Sequence, residues 1–442
     1  MSHRLPQGSP HPARAAIAAF VGTTIEWFDF YVYATAAALV FGELFFPAGT
    51  DPLVGLMASF ATFSVGFFAR PLGGIVFGHF GDRLGRKSAL VTTLLMMGVA
   101  TFAVGLLPTY EQAGFLAPLL LVVLRFVQGI AVGGEWGGAV LMAVEHAPEN
   151  RKTFYGSFAQ LGNPAGALLA SGSFSLITAL PGDVLHTWGW RAPFLASIVL
   201  VLVGMAIRLK VEESPVFSAV QAEAGTAGAG RSAQPAEMPL REAVRTSWRT
   251  LLLGLGSLPV AVGGYYIVTT FLQAYATTEV GVSEQLILNA LAVAAAVELI
   301  ATVGVSWLGD RVGTKRVVIA GLLAVAVLAV PQFLAMSAGT AMIFLSLAVM
   351  RVAMAATYGP IARILSQMFP PKVRYTSVSL AYQVAGAIFG GLSPIACTAL
   401  LAATGSIYPV AILLIAMALV SVACLVKAPS YRDDEIVAAA AP

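Results

Sequence analysis

The octapeptide EWFDFYVY, residues 26–33, puts two carboxylates inside a long apolar stretch. Glu26, Asp29 and Tyr33 follow i, i+3 and i+7, which is one stripe of a helix. A charged side chain near the centre of a bilayer costs about 3 kcal/mol or more, so it needs a partner or a water-filled cavity. An acid that faces such a cavity binds a proton when desolvation disfavours its charged form. The pair therefore has the chemistry of proton coupling, with Asp29 slightly ahead of Glu26. The alternative is that one acid is locked in a structural ion pair.

Arg125, Gln128 and Glu135 follow i, i+3 and i+10 on a second apolar segment. A guanidinium there grips a carboxylate bidentately, or holds Glu26 or Asp29 until a proton arrives. A permanent Arg–acid pair is the other reading. Glu135 stands in GGEWGG, where glycines favour close helix approach, so it serves packing or protons. Arg351 is the counterpart of Arg125 in the second half of the chain, and two arginines on one cavity favour an anion. The acids Glu26, Asp29, Glu135 and Glu298 nevertheless roughly balance the cations Arg70, Arg125 and Arg351. Charge alone leaves anion against zwitterion open.

The stretch GYYIVTTFLQAYATT carries Tyr266, Thr269 and Gln273 on one face, with Tyr265 beside them. Tyrosines and amides at the midplane orient a small polar substrate. Gly263 and Gly264 permit the helix to bend. Gln160, Asn163, Tyr382 and Gln383 either line the same site or bond one helix to another. Arg191, in WGWR, reads as a helix anchor or a contact for an incoming anion.

These residues need membrane helices to hold them. The chain has 442 residues, 58% hydrophobic and 11% charged, against about 25% charged in soluble domains. The apolar residues fall in twelve runs: 17–42, 54–78, 88–107, 115–143, 154–179, 190–210, 247–276, 285–308, 316–336, 340–366, 375–402 and 405–427. Runs of about 20 residues span a bilayer core. The first is too long for a signal peptide and is expected to be retained. Residues 1–16 and 428–442 read as tails, and 17–210 and 247–427 as two six-helix bundles. The Ala-, Gly- and Ser-rich stretch 211–246 reads as a linker. Alternate loops (43–53, 108–114, 180–189, 277–284, 337–339 and 403–404) contain no Lys or Arg. The opposite side holds Arg83, Arg86, Lys87, Arg151, Lys152, Arg208, Lys210, Arg311, Lys315, Arg316, Lys372 and Arg374, which places both termini in the cytoplasm.

The halves echo one another. GDRLGRK follows the second run and GDRVGTK the eighth. The pattern Gly78-x3-Asp82-Arg83-x-Gly85-Arg86-Lys87, repeated weakly at Gly309-Asp310-Arg311-x-Gly313, resembles the loop motif of the major facilitator superfamily. RPLGGIVFGHFGDRLGRK, RFVQGIAVGGEWGGA, WGWRAPF and YGPIARILSQMFPPKVRYTSVSLAYQ, with EWFDFYVY, resemble the metabolite:proton symporter family from about residue 20 to 430. The resemblance implies transport of organic acids or zwitterionic osmolytes with protons. Gln367 stands where that family has an acid, with Arg363 a turn earlier, and Glu298 is outside its pattern. The short tail lacks the heptads of osmosensing members. Asp82, Arg83, Arg86, Asp310 and Arg311 are expected to form a cytoplasmic gate, an aspartate meeting a helix N-terminus of the other half. Setting topology is their other reading.

No Walker A loop, Ser-His-Asp set or His/Cys cluster appears, so neither a cofactor nor a metal is expected. His3, His11, His79, His146 and His186 are scattered over loops and termini and read as solvated. The sequence thus predicts an all-α membrane protein, not an enzyme, with twelve transmembrane helices in two pseudo-symmetric bundles around a central cavity. The expected activity is proton symport of a small mono-, di- or tricarboxylate by alternating access. Symport of a betaine- or proline-like zwitterion, caged by Tyr31, Tyr33, Tyr265 and Tyr266, is the alternative; antiport efflux is another. The expected partners are substrate, protons and the lipid of a bacterial inner membrane, with no nucleic acid, and the chain is expected to act as a monomer.

Overall fold

The computed structural model describes residues 12–84, 86–133, 151–210 and 239–430. Twelve long helices run through them. In the first half these are α1 (Pro12–Leu39), α2 (Pro52–Leu84), α3 (Arg86–Val104), α4 (Leu116–Val132), α5 (Lys152–Thr178) and α6 (Arg191–Lys210). The second half has α7 (Ser247–Thr278), α8 (Glu284–Val312), α9 (Thr314–Leu334), α10 (Thr340–Met368), α11 (Thr376–Thr404) and α12 (Tyr408–Lys427). Seven helices of the described chain are long and apolar enough to cross a bilayer, and Val91–Val104, Leu116–Val132 and Arg191–Ala206 are shorter apolar helices. Helices suit this setting because all their backbone groups bond internally, where lipid offers no partner.

The packing repeats between halves. α1 lies along α5, α2 along α4 and α3 along α6; correspondingly α7 lies along α11, α8 along α10 and α9 along α12. The halves meet through two equivalent seams, α5 with α8 and α11 with α2. Four helices stand outside. Val99 of α3, Leu202 of α6, Val327 of α9 and Ile412 of α12 are each at least 61% exposed, an apolar surface that suits lipid. The repeat leaves α1, α4, α7 and α10 towards the centre; Glu26 and Asp29 lie on α1, Arg125 on α4 and Arg351 on α10, while Arg70 and Glu298 come from the neighbouring α2 and α8.

Element ends depart from the expected runs where charge masked them. α2 continues to Leu84 rather than stopping near residue 78, because the polar GDRL segment stays helical. Helix also begins at Pro239, inside the expected linker, and breaks at Ser247 (φ −126°, ψ 20°) before α7. The turn between α8 and α9 has Gly313 at φ +103°, which only glycine adopts without strain. That is why the GDRVGTK motif has its second glycine.

Two central helices are not regular. α7 contains π-helical turns at Pro259–Gly264 and Ile267–Phe271, with Tyr265 and Tyr266 between them. α11 contains another at Gly386–Gly391. The expected bend of α7 at Gly263 and Gly264 takes this form. Wide turns of this kind concentrate at functional sites.

Candidate functional site

Glu26 and Asp29 of α1 are both buried, Asp29 at 1% exposure. Neither carboxylate oxygen of Asp29 has a hydrogen-bond partner. Thr101 and Arg125 are the polar groups that act on it. The Arg125 side chain is fully buried. Its NH1 donates to Gln128 Oε1 at 3.2 Å and its Nε to the Phe63 carbonyl at 3.4 Å, while NH2 has no partner. Gln128 Nε2 in turn donates to Thr101 Oγ1 at 2.7 Å. The guanidinium carbon sits 4.2 Å from the Phe30 ring centre, 4.4 Å from Tyr33 and 4.9 Å from Phe63. Gly66 of α2 makes the room, since a Cβ there falls 2.7 Å from Arg125 Nε. The expected grip of Arg125 on an acid of α1 is absent in this structure, and its hydrogen bonds go to neutral groups instead.

The second half is built differently. Arg351 NH1 donates to Glu298 Oε2 at 2.6 Å, and Tyr265 OH donates to the same oxygen at 2.9 Å. Both partners of this ion pair are at most 2% exposed. Arg351 also lies over the Tyr265 ring at 4.6 Å. The sequence reading of Arg351 as a free twin of Arg125 is therefore corrected: Glu298, left without a role, neutralises it.

Aromatic side chains join the halves between these groups. Tyr31 of α1 lies 5.9 Å from the Tyr265 ring and 6.3 Å from Tyr266, and donates to Asn163 Oδ1 of α5 at 3.1 Å. Tyr266 packs edge-on against Phe63 and Phe67 of α2, and Trp27 against Tyr358 of α10. Tyr358 and Tyr382 share a hydrogen bond of 3.2 Å. Tyr33 instead bonds Thr62 within the first half, at 2.7 Å. Thr269 donates back to the Tyr265 carbonyl. Tyr266 OH, Gln273 Nε2 and both amide atoms of Gln160 are buried without a partner. Gln383 ties α11 to the end of α4 through the Gly133 carbonyl at 2.9 Å. The centre is thus closed in this structure, with the polar groups sealed under packed rings. Tyr31 was expected only in the zwitterion-caging alternative and Tyr358 not at all, because tyrosines in apolar helices carry no spacing signal that separates a site from a packing seam.

Both ends of the α5–α8 seam are bonded. At the end with the basic loops, Asp310 accepts the Thr153 amide at 3.0 Å and the Phe154 amide at 2.9 Å, so it caps the first turn of α5 from the other half. Thr153 and Thr314 also meet, at 3.0 Å. Arg311 takes no part; its guanidinium lies 3.8 Å from the Trp307 ring. At the opposite end Ser175 bonds Asn289, and Thr178 donates to Gln285 at 2.8 Å. There His186 bridges Asp183 at 2.8 Å and Glu284 at 3.5 Å. Burial opposes its charge, but the Asp183 hydrogen bond and the charges of Glu284, Asp183 and Glu43 outweigh that and raise its pKa above the usual value. The same contact lowers the carboxyl of Asp183. His186 is therefore not simply solvated, as its loop position suggested. Arg191 donates to the Leu107 carbonyl at 2.9 Å, which makes it an anchor of α6 on the end of α3. Across the other seam Ser64 of α2 donates to the Gly391 carbonyl of α11. Glu135 lies outside the described residues, as do the side chains of Asp82, Arg83 and Arg86.

The sequence matches the sugar (and other) transporter family over residues 15–433. It is 40% identical over 412 residues to the shikimate transporter of Escherichia coli strain K12, 92% of each chain. A glycine betaine/proline/ectoine/pipecolic acid transporter of Dickeya dadantii is 35% identical over 411 residues, 92% of this chain and 81% of that one. Among solved structures, a proton:xylose symporter of the major facilitator superfamily superposes with a TM-score of 0.71 at 18% identity, over 95% of both chains. The chain therefore belongs to the sugar (and other) transporter family, with a fold like that of a major facilitator superfamily symporter, and it is a multi-pass membrane transporter rather than an enzyme.

Proposed function

We propose that this transporter moves a small organic acid inward together with a proton. The observation that carries the reading is the unequal fate of the two central arginines. Arg351 is neutralised by Glu298, whereas Arg125 hydrogen-bonds only to neutral groups, and each keeps one unpartnered nitrogen. A desolvated guanidinium presents a fork that matches a carboxylate. Asp29, beside it and without hydrogen bonds, is assigned as the proton carrier: a bound proton removes an uncompensated charge before the site closes. Tyr266, Gln273 and Gln160 offer the remaining donors and acceptors for hydroxyls of the substrate.

With the basic loops in the cytoplasm, both termini lie there too. The Asp310 cap on α5 then closes the cytoplasmic end, and Asp82 is assigned the equivalent role on α11 by the internal repeat. Rocking of one bundle against the other breaks the bonds at one end of the seams while keeping those at the other. The substrate of the Escherichia coli relative, a hydroxylated carboxylic acid, agrees with this reading. Tyr31, Tyr265 and Tyr266, together with the Dickeya dadantii relative, favour a zwitterion as the second reading. Against it, Arg70 and Arg125 already occupy faces of Phe30, Phe67, Tyr33 and Phe63, leaving fewer rings for a quaternary ammonium. Counterflow in proteoliposomes with radiolabelled shikimate, lactate, glycine betaine and proline separates the two, and exchange of the betaine alone would overturn the first. An inward proton gradient should drive accumulation; expulsion of solute would make the protein an antiporter.

A further inference from the structure

We propose that Glu298 sets the substrate charge, so that the site accepts acids with a single ionised carboxylate and rejects di- and tricarboxylates. This deepens the organic-acid reading and rests on it. Among the described residues the central cations are Arg70, Arg125 and Arg351, and the central acids are Glu26, Asp29 and Glu298, all buried. Arg351 is consumed by Glu298 at 2.6 Å, and Tyr265 adds a second hydrogen bond to the same oxygen. Arg70 and Glu26 act on the same two tyrosines, Tyr266 and Tyr382, so their charges offset each other there. Arg125 and Asp29 remain. Once Asp29 carries the coupled proton, one cation stands unopposed, and one carboxylate restores neutrality.

Among the described residues every other cation has an acid to offset it, so a second carboxylate has none left to meet. It would enter a closed, low-dielectric centre next to Glu298, where an unpaired charge is strongly disfavoured. Displacing Glu298 from Arg351 does not help, because the glutamate is then the unpaired ion. Over the described residues the same count gives one proton for each substrate anion and a neutral loaded centre when the bundles move.

The test is exchange of radiolabelled lactate, shikimate, succinate and citrate, each alone, in proteoliposomes at a pH where all carboxylates are ionised. The wild-type protein is expected to exchange one or both monocarboxylates at least about tenfold faster than succinate or citrate. Glu298→Gln frees Arg351 and is expected to shift that ratio at least about tenfold towards succinate. The double variant Glu298→Gln with Arg351→Gln removes both charges and is expected to restore the monocarboxylate preference. Monodispersity in detergent checks that each variant is folded; should Glu298→Gln fail, the wild-type ratio and the double variant decide. Succinate or citrate exchanged as fast as the monocarboxylates by the wild type overturns the proposal, while leaving organic-acid transport intact. A folded Glu298→Gln with the wild-type ratio overturns it as well. Exchange of none of the four acids overturns the organic-acid reading and this inference together.

Discussion

Asp29 and Arg125 make the sharpest residue-level predictions. Asp29→Asn removes the titrating group but keeps its shape, so proton-driven accumulation should be lost while counterflow survives; uphill uptake that persists in this variant counts against the assignment. Arg125→Lys keeps the charge but loses the fork and the stacking on Phe30, Tyr33 and Phe63. Substrate half-saturation should rise about tenfold or more, the equivalent of about 1.4 kcal/mol, with no change in the yield of folded protein. Much at this scale was legible in the sequence. The i, i+3 spacing of Arg125 and Gln128 put them on one helix face, where the structure joins them by a hydrogen bond. The Glu298–Arg351 pair was not, because its members lie 53 residues apart on different helices and no local spacing marks them. The pair of ionisable residues that seemed most alike, Arg125 and Arg351, proved to have opposite environments.

At the scale of elements, the two ends of the α5–α8 seam use different chemistry. Asp310 holds the N-terminal amides of α5, and hydrogen bonds to a charged group contribute about 1.5–3 kcal/mol each. Asp310→Ala should leave the basic-loop end more open, read as faster alkylation of a cysteine placed at Phe154, whereas Arg311→Ala should not. The opposite end holds a titratable group, His186, between Asp183 and Glu284. His186 has its pKa raised in the closed structure, so closure binds its proton more tightly than the opened, hydrated state does. The resulting bias towards closure is complete below about pH 6.5 and is lost as the pH rises through the raised value. Spin labels at Pro181→Cys and Val282→Cys should move apart between pH 5.5 and 8.5, and His186→Gln should abolish that response. The motif repeat and Gly313 made the first contact partly legible. The second joins a loop to a helix start nearly a hundred residues later, and histidine type alone does not foretell such a neighbour.

For the whole molecule, the twelvefold count was legible because basic residues fall only in alternate loops, and an error of one helix would scramble that alternation. The pairing of helices was not, since apolar faces look alike when lipid and protein are equally apolar neighbours. The repeated packing, α1 with α5 as α7 with α11, supplies it. The proposed rocking of the halves opens one end at a time. A disulfide between Ser175→Cys and Asn289→Cys, in a chain lacking Cys397 and Cys424, should stop exchange, and reduction should restore it. Exchange at the wild-type rate with the disulfide formed would mean that the α5–α8 seam does not part there.

The wide turns flanking Tyr265 and Tyr266 have a further consequence. A π turn stores one residue more than an α turn, and passing that spare residue along the chain turns the residues it passes by about 100°. α7 thereby has an internal swivel, able to re-aim two rings without unwinding or sliding in the lipid. Deleting Val268 should take the slack out, leaving a folded protein whose tyrosines keep one bearing and whose carrier cycle stalls.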